Sequence, residues 1–200
     1  DKKIFYNSFS FYDHEINLID NYNKVDLVPF GEFLPFEKKL GSVGLKSLTN
    51  NYQSYSRGKN REIIRIIQNN FDIKLLPLIC YEIIYSGKIF SSPEFDYIIN
   101  ISEDGWFGDS VGPHQHFTHS VFRAVESGKY LIRSANNGIT ALINPMGVVE
   151  KEISIGNSGY IDFSKKRIVN TTLFSQHGNK IFLVIILLYI FLIFSFNRFS

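Results

Sequence analysis

Cysteine is nearly absent from this chain. Cys80 alone occurs among 200 residues, so no intrachain disulfide can form and cysteine-based structural zinc sites are excluded. Methionine and tryptophan are as scarce, with Met146 and Trp106 the only examples. Neither sign of charge dominates: 21 Lys+Arg stand against 19 Asp+Glu, a net +2. The cations are dispersed and lie close to acids. The concentrated basic face that nucleic acid requires is therefore missing, and nucleic acid is not an expected partner. The start, Asp1-Lys2-Lys3, has neither an initiator Met nor an apolar leader, and reads as the opening of a C-terminal piece of something longer.

Aromatic residues are abundant, 19 Phe and 11 Tyr, and read mainly as core packing. The length suffices for one domain with a buried core. Apolar patterning alternates between two periods. Lys2–Tyr12 reads as an aromatic strand or hairpin, and Asp26–Phe30 as a short strand ending in Pro-Phe-Gly. Leu40–Gly58, rich in Gly, Ser and Asn, reads as a long loop. Arg61–Asn70 places Ile63, Ile64, Ile66 and Ile67 at helical spacing. Lys74–Cys80, Tyr97–Ser102, Tyr130–Ala135, Gly138–Ile143, Val148–Ile153 and Gly159–Phe163 read as strands, and His114–Ser127 as a helix. Asn144-Pro-Met-Gly147 supplies the turn between two of them. Mixed in this way, the elements predict a layered α/β or α+β domain over 1–178.

The longest charge-free run closes the chain. Ile181–Phe196 is apolar throughout, flanked by Lys180 and by Asn197-Arg198. With its flanks it approaches the lower limit for a membrane-spanning helix, and 180–197 is expected to be one. Such a helix has no polar stripe to offer water. The single cation on each side leaves its orientation open.

Chemistry concentrates in a few places. Leu75-Leu-Pro-Leu-Ile-Cys80-Tyr81-Glu82 puts the lone thiol at the end of a buried-strand pattern, with Glu82 two positions on. Lys24-Val-Asp-Leu-Val-Pro-Phe-Gly-Glu32 frames a second apolar run with a cation and a carboxylate. A thiol needs a base to become a nucleophile, and an acyl intermediate needs a cation or N–H donors for its oxyanion. Ser-Glu103-Asp104-Gly-Trp106 follows a predicted strand, where active-site crevices often lie; a polar turn, with Trp106 as a core anchor, is the competing reading. Arg123 and Glu126 are three apart on one helical face and read as an ion pair. Asn136-Asn137-Gly138 is a turn signal. His114-Gln-His116-Phe-Thr-His119 lacks a marked further ligand and reads as a solvated helix start rather than a metal site. Gly41-Ser-Val-Gly-Leu-Lys46-Ser fails the phosphate-loop spacing, and Asn100-Ile-Ser and Asn170-Thr-Thr are chance-level glycosylation patterns. No metal or cofactor is expected.

Taken together, these motifs resemble the carbon–nitrogen hydrolase (nitrilase) superfamily, and within it the lipoprotein N-acyltransferase branch. Lys24-x-x-Leu-x-Pro-Phe-Gly-Glu32 and Cys80-Tyr81-Glu82 carry the superfamily resemblance. Ser56-Arg-Gly58 and the run Arg123-Ala-Val-Glu126 through Arg133-Ser-Ala-Asn136-Asn137-Gly138 match as well. Trp106-Phe-Gly-Asp-Ser, Gly112-Pro-His-Gln-His116 and the terminal apolar helix point to the branch. The resemblance implies an α-β-β-α sandwich, here without its first strands. It implies a Glu–Lys–Cys triad with Cys80 as nucleophile and Lys24 as oxyanion stabiliser. Glu32 would be accessory, Tyr81 and Glu82 neighbours of the thiol, and Trp106, Arg123, Glu126 and Asn137 supporting residues. The base glutamate has no matching position here, so the piece is expected to be inactive alone. Glu103 stands where relatives usually carry an amide. The implied reaction passes an acyl chain from a phospholipid through a Cys80 thioester to the N-terminal amine of a diacylglyceryl apolipoprotein. It would run at the outer face of a bacterial inner membrane. A membrane-anchored amidase acting on small amides, or an inactive binding fragment, are the competing readings.

Overall fold

The computed structural model describes residues 3–36, 54–68, 71–87, 94–164 and 169–199. Its centre is a six-stranded sheet in the order β3-β4-β5-β6-β7-β8. The strands are β3 (Ile64–Gln68), β4 (Phe71–Ile79), β5 (Tyr97–Glu103), β6 (Tyr130–Asn136), β7 (Thr140–Ile143) and β8 (Val149–Ile153). β4, β5 and β6 run parallel, and the outer pairs are antiparallel. The carboxyl ends of three adjacent strands therefore open on one edge of the sheet.

The two faces are covered differently. Helix α1 (Gly112–Ser127) crosses between β5 and β6. Its Phe117, Val121 and Ala124 pack with Leu76, Leu78, Ile98, Leu131 and Ile143. Fully burying a side chain such as Leu78 is worth ~1.5–3 kcal/mol, and this cluster supplies most of the core. On the other face a small hairpin, β1 (Ser8–Tyr12) and β2 (Leu18–Asn23), sets Phe9, Phe11 and Tyr22 against Ile64, Ile79 and Ile101. Three layers of the expected sandwich, helix over sheet over sheet, are thus present among the described residues. A short helix α2 (Leu173–His177), capped by the Thr172 hydroxyl on the Ser175 N–H, leads to α3 (Lys180–Phe199).

Several expectations are corrected. The expected helix over 61–70 does not form at its described residues, 61–68. Ile64–Gln68 is a strand paired antiparallel with Phe71–Leu75, with Ile64 buried and Ile67 exposed. A run of β-branched isoleucines suits a pleated surface better than a helix, and neighbouring β4 offers a complete hydrogen-bond edge. Asp26–Phe30 is irregular, holding only an isolated bridge from Pro29 to Phe33. Proline at 29 has no N–H for a ladder. Gly159–Phe163 is likewise not a strand, although Phe163 packs edge-on against Tyr97 at 5.1 Å. Most of the expected loop at 40–58, including the phosphate-loop-like 41–47, lies outside the described residues.

The C-terminal run forms the expected helix but not the expected span. Among the described residues, no helix is long and apolar enough to cross a membrane. The charge-free stretch 181–196 rises only ~24 Å at 1.5 Å per residue, against a hydrocarbon core of ~30 Å. Its side chains from Phe182 to Phe194 are nonetheless exposed all round the helix.

Candidate active site

Cys80 stands where β4 ends and a tight 3-10 turn, Cys80–Ile84, begins. Its backbone is left-handed, φ 51°, a conformation that costs a non-glycine residue of order 1–3 kcal/mol and persists only where the surroundings impose it. The thiol is half-buried and free. It lines a cavity of about 290 Å³ together with Lys24, Glu32, Tyr81, Glu103 and Trp106. The cavity opens at the carboxyl ends of the parallel strands, where α/β sheets place their ligand crevices.

Lys24 follows directly on β2 and is 1% exposed. Its Nζ lies 2.9 Å from both oxygens of Glu32. Glu32 is itself held by the Asn7 amide at 2.7 Å and the Val28 N–H at 2.8 Å. The ammonium is therefore anchored at one end by a carboxylate whose remaining lone pairs are occupied. A cation that is buried, paired and aimed into a cavity can meet a developing negative charge without reorganising.

Glu82 does not line the cavity. It is fully buried and accepts from the Tyr22 hydroxyl at 2.8 Å, the N–H groups of Val25, Asp26 and Ile79, and Arg61 at 3.4 Å. It ties the Lys24 loop to the strand end that bears Cys80. Burial and the Glu82 charge together push the Tyr22 phenol up, so that group stays a neutral donor.

The supporting residues separate in space. Trp106 is 66% exposed at the mouth of the cavity, so it is a crevice residue and not a core anchor. Asn137, left-handed at φ 54°, donates to Glu103 Oε1 at 3.1 Å. Glu103 also accepts from the Gly105 N–H and the Asn136 amide, and the Asn137 bond is the largest influence holding its carboxyl below the usual range. Arg123 and Glu126 form the expected pair at 2.6 Å. They lie away from the cavity, reaching the Ile84 carbonyl and the Ser86 hydroxyl.

One group was not legible from motif spacing. His116 is not a solvated helix residue: it is 2% exposed. Its Nδ1 lies 2.8 Å from Asp104 Oδ1 and its Nε2 3.3 Å from the Cys80 carbonyl oxygen. Asp104 is fully buried, accepts from Ser102 at 2.7 Å and meets Arg133 Nη2 at 2.7 Å. Burial alone would raise the Asp104 pKa; the His116 bond and the Arg133 charge more than offset it and hold the carboxyl below its usual value. Arg133 also donates to Asn100 and to the Ile139 carbonyl. No group of three or more potential metal ligands occurs among the described residues.

The sequence pattern of the carbon–nitrogen hydrolases matches residues 1–169. The chain belongs to the carbon–nitrogen hydrolase family. Curated relatives include the apolipoprotein N-acyltransferases of Bradyrhizobium diazoefficiens, 37% identical over 87% of this chain and 32% of that protein, and of Rickettsia bellii, 41% identical over 90% and 35%. The chain thus spans about a third of the length of the curated relatives it matches. Among solved structures, the amidase NitN of Nesterenkonia sp. AN1 superimposes with a TM-score of 0.50 at 16% identity, covering 74% of this chain and 52% of that one. That likeness bears on the fold alone.

Proposed function

We propose that this chain is the cysteine-bearing part of an apolipoprotein N-acyltransferase. One observation carries the reading: a free, half-buried thiol and a buried, carboxylate-anchored ammonium share one small cavity. The similarity to apolipoprotein N-acyltransferases over most of the chain favours this branch of the family.

In the proposed reaction Cys80 loses its proton to a base and the thiolate attacks the ester carbonyl of a phospholipid. The oxyanion forms against the Lys24 ammonium, which Glu32 holds in place. Collapse breaks the ester C–O bond; the lysophospholipid leaves with a proton, and the acyl chain remains on sulfur as a thioester. The N-terminal amine of a diacylglyceryl apolipoprotein then attacks that thioester. An amide forms, the C–S bond breaks, and the thiol is regenerated.

Both substrates are lipids, and two features suit them. Trp106 stands exposed at the cavity mouth, and α3 presents an apolar surface on all sides that water does not favour. We place α3 in lipid, with the catalytic domain at the outer face of a bacterial inner membrane. The test supplies the complete protein with acyl-labelled phospholipid and either a diacylglyceryl peptide or a small amide. Label transfer to the peptide amine is expected. Hydrolysis of the amide without transfer would instead favour the membrane-anchored amidase.

A further inference from the structure

Cys80 sits in a backbone conformation that its own side chain disfavours, so neighbouring groups must impose it. On the amino side the Ile79 N–H is fixed by Glu82 Oε2 at 2.8 Å. On the carboxyl side the Cys80 carbonyl, at the start of the 3-10 turn, is met by the His116 side chain, with Nε2 at 3.3 Å. A carbonyl can only accept, so this bond requires the hydrogen on Nε2. Nδ1 faces the Asp104 carboxylate at 2.8 Å, which also only accepts, and both bonds together need a hydrogen on each nitrogen. Arg133 Nη2, 3.3 Å from Nδ1 and 2.7 Å from Asp104 Oδ2, locks the carboxylate from behind. The chain Arg133–Asp104–His116 is buried throughout. A run of charged side chains inside a core costs free energy that an apolar filling would not, and it ends on the one residue whose thiol enters the cavity.

We propose that His116 is a positioning residue for Cys80: by donating Nε2–H to the Cys80 carbonyl, it holds that residue left-handed and keeps its sulfur in the cavity. Asp104 and Arg133 fix the ring for that task. This rests on Cys80 being the nucleophile proposed above. Three replacements in the complete protein separate donor from bulk. His116→Gln keeps an N–H at the reach of Nε2. His116→Asn stays polar and short, reaching Asp104 but not Cys80. His116→Met keeps length without a donor.

The expected result is a kcat lowered about 100-fold in His116→Asn and His116→Met, the scale of a nucleophile misplaced by about 1 Å. KM should stay within about twofold, and His116→Gln should keep at least about a third of the wild-type kcat. Alkylation of Cys80 by iodoacetamide, which needs no substrate, should slow in the same order. Equal losses in Gln, Asn and Met, or a wild-type alkylation rate in His116→Asn, would overturn the proposal. Should Met fail to fold, as read by thermal melting, the contrast of Gln with Asn decides alone. If Cys80 were not the nucleophile, acyl transfer would survive Cys80→Ala, while the alkylation order would still report on His116.

Discussion

At the scale of single residues, three carboxylates near the thiol do three different things. Glu32 anchors Lys24, Glu82 joins two backbone segments, and Asp104 orients His116. Their replacements should differ accordingly. Lys24→Met keeps the bulk of the lysine and removes its charge. It should lower acyl transfer at least about 100-fold, the scale of one lost oxyanion partner, with the protein still folded by circular dichroism. Glu82→Ala strands the donors it collects, the Tyr22 hydroxyl and the N–H groups of Val25, Asp26 and Ile79. It should destabilise by ~3–5 kcal/mol, seen as a large fall in melting temperature. Sequence motifs placed Cys80, Lys24, Glu32 and Tyr81 together because the family resemblance keeps their spacing. They did not reveal that Glu82 faces inward, because adjacency in the chain says nothing of the direction a side chain takes in a 3-10 turn. His116 escaped for a related reason. A histidine one position from an exposed glutamine looks solvated until Asp104, just past the end of β5, and Arg133 of β6 are known to lie beside it.

At the scale of elements, β4 to β8 and α1 were readable, while β3 and the irregular segments Asp26–Phe30 and Gly159–Phe163 were not. β4, β5, β6 and α1 have apolar patterns long enough to name their period. β3 was misread because four isoleucines in five positions satisfy a helical face and a strand alike; only pairing with β4 decides. The turn joining β6 to β7 shows how an element's end can hold a site. A Cβ at Gly138 would lie 2.2 Å from Asp104 Oδ2. That carboxylate is pinned by Arg133, so it cannot move aside cheaply. Gly138→Ala should therefore cost ~1–3 kcal/mol, the range for overpacking a core, and lower kcat with it. Chemical denaturation and steady-state kinetics on the same preparation would check both.

At the scale of the whole molecule, the buried charge network predicts how stability follows pH. The folded Asp104 carboxyl titrates below its usual value, so the unfolded chain binds its proton first as pH falls. The stabilisation is fully present above about pH 4, the unfolded carboxyl value, and is lost as pH drops through the lower folded value. Melting temperature should fall on acidification below about pH 4, and Asp104→Asn should flatten that slope. The terminal helix was legible as an apolar helix, but composition alone overstated its reach. A peptide of residues 180–199 should partition into phospholipid vesicles and become helical there by circular dichroism. All of this serves a single claim, that Cys80 carries the acyl chain. Acyl-labelled phospholipid should leave a hydroxylamine-labile adduct on the complete protein, located at Cys80 by mass spectrometry and absent from Cys80→Ala. A wild-type protein that transfers acyl chains without ever forming that adduct, or an adduct that survives in Cys80→Ala, would contradict the account.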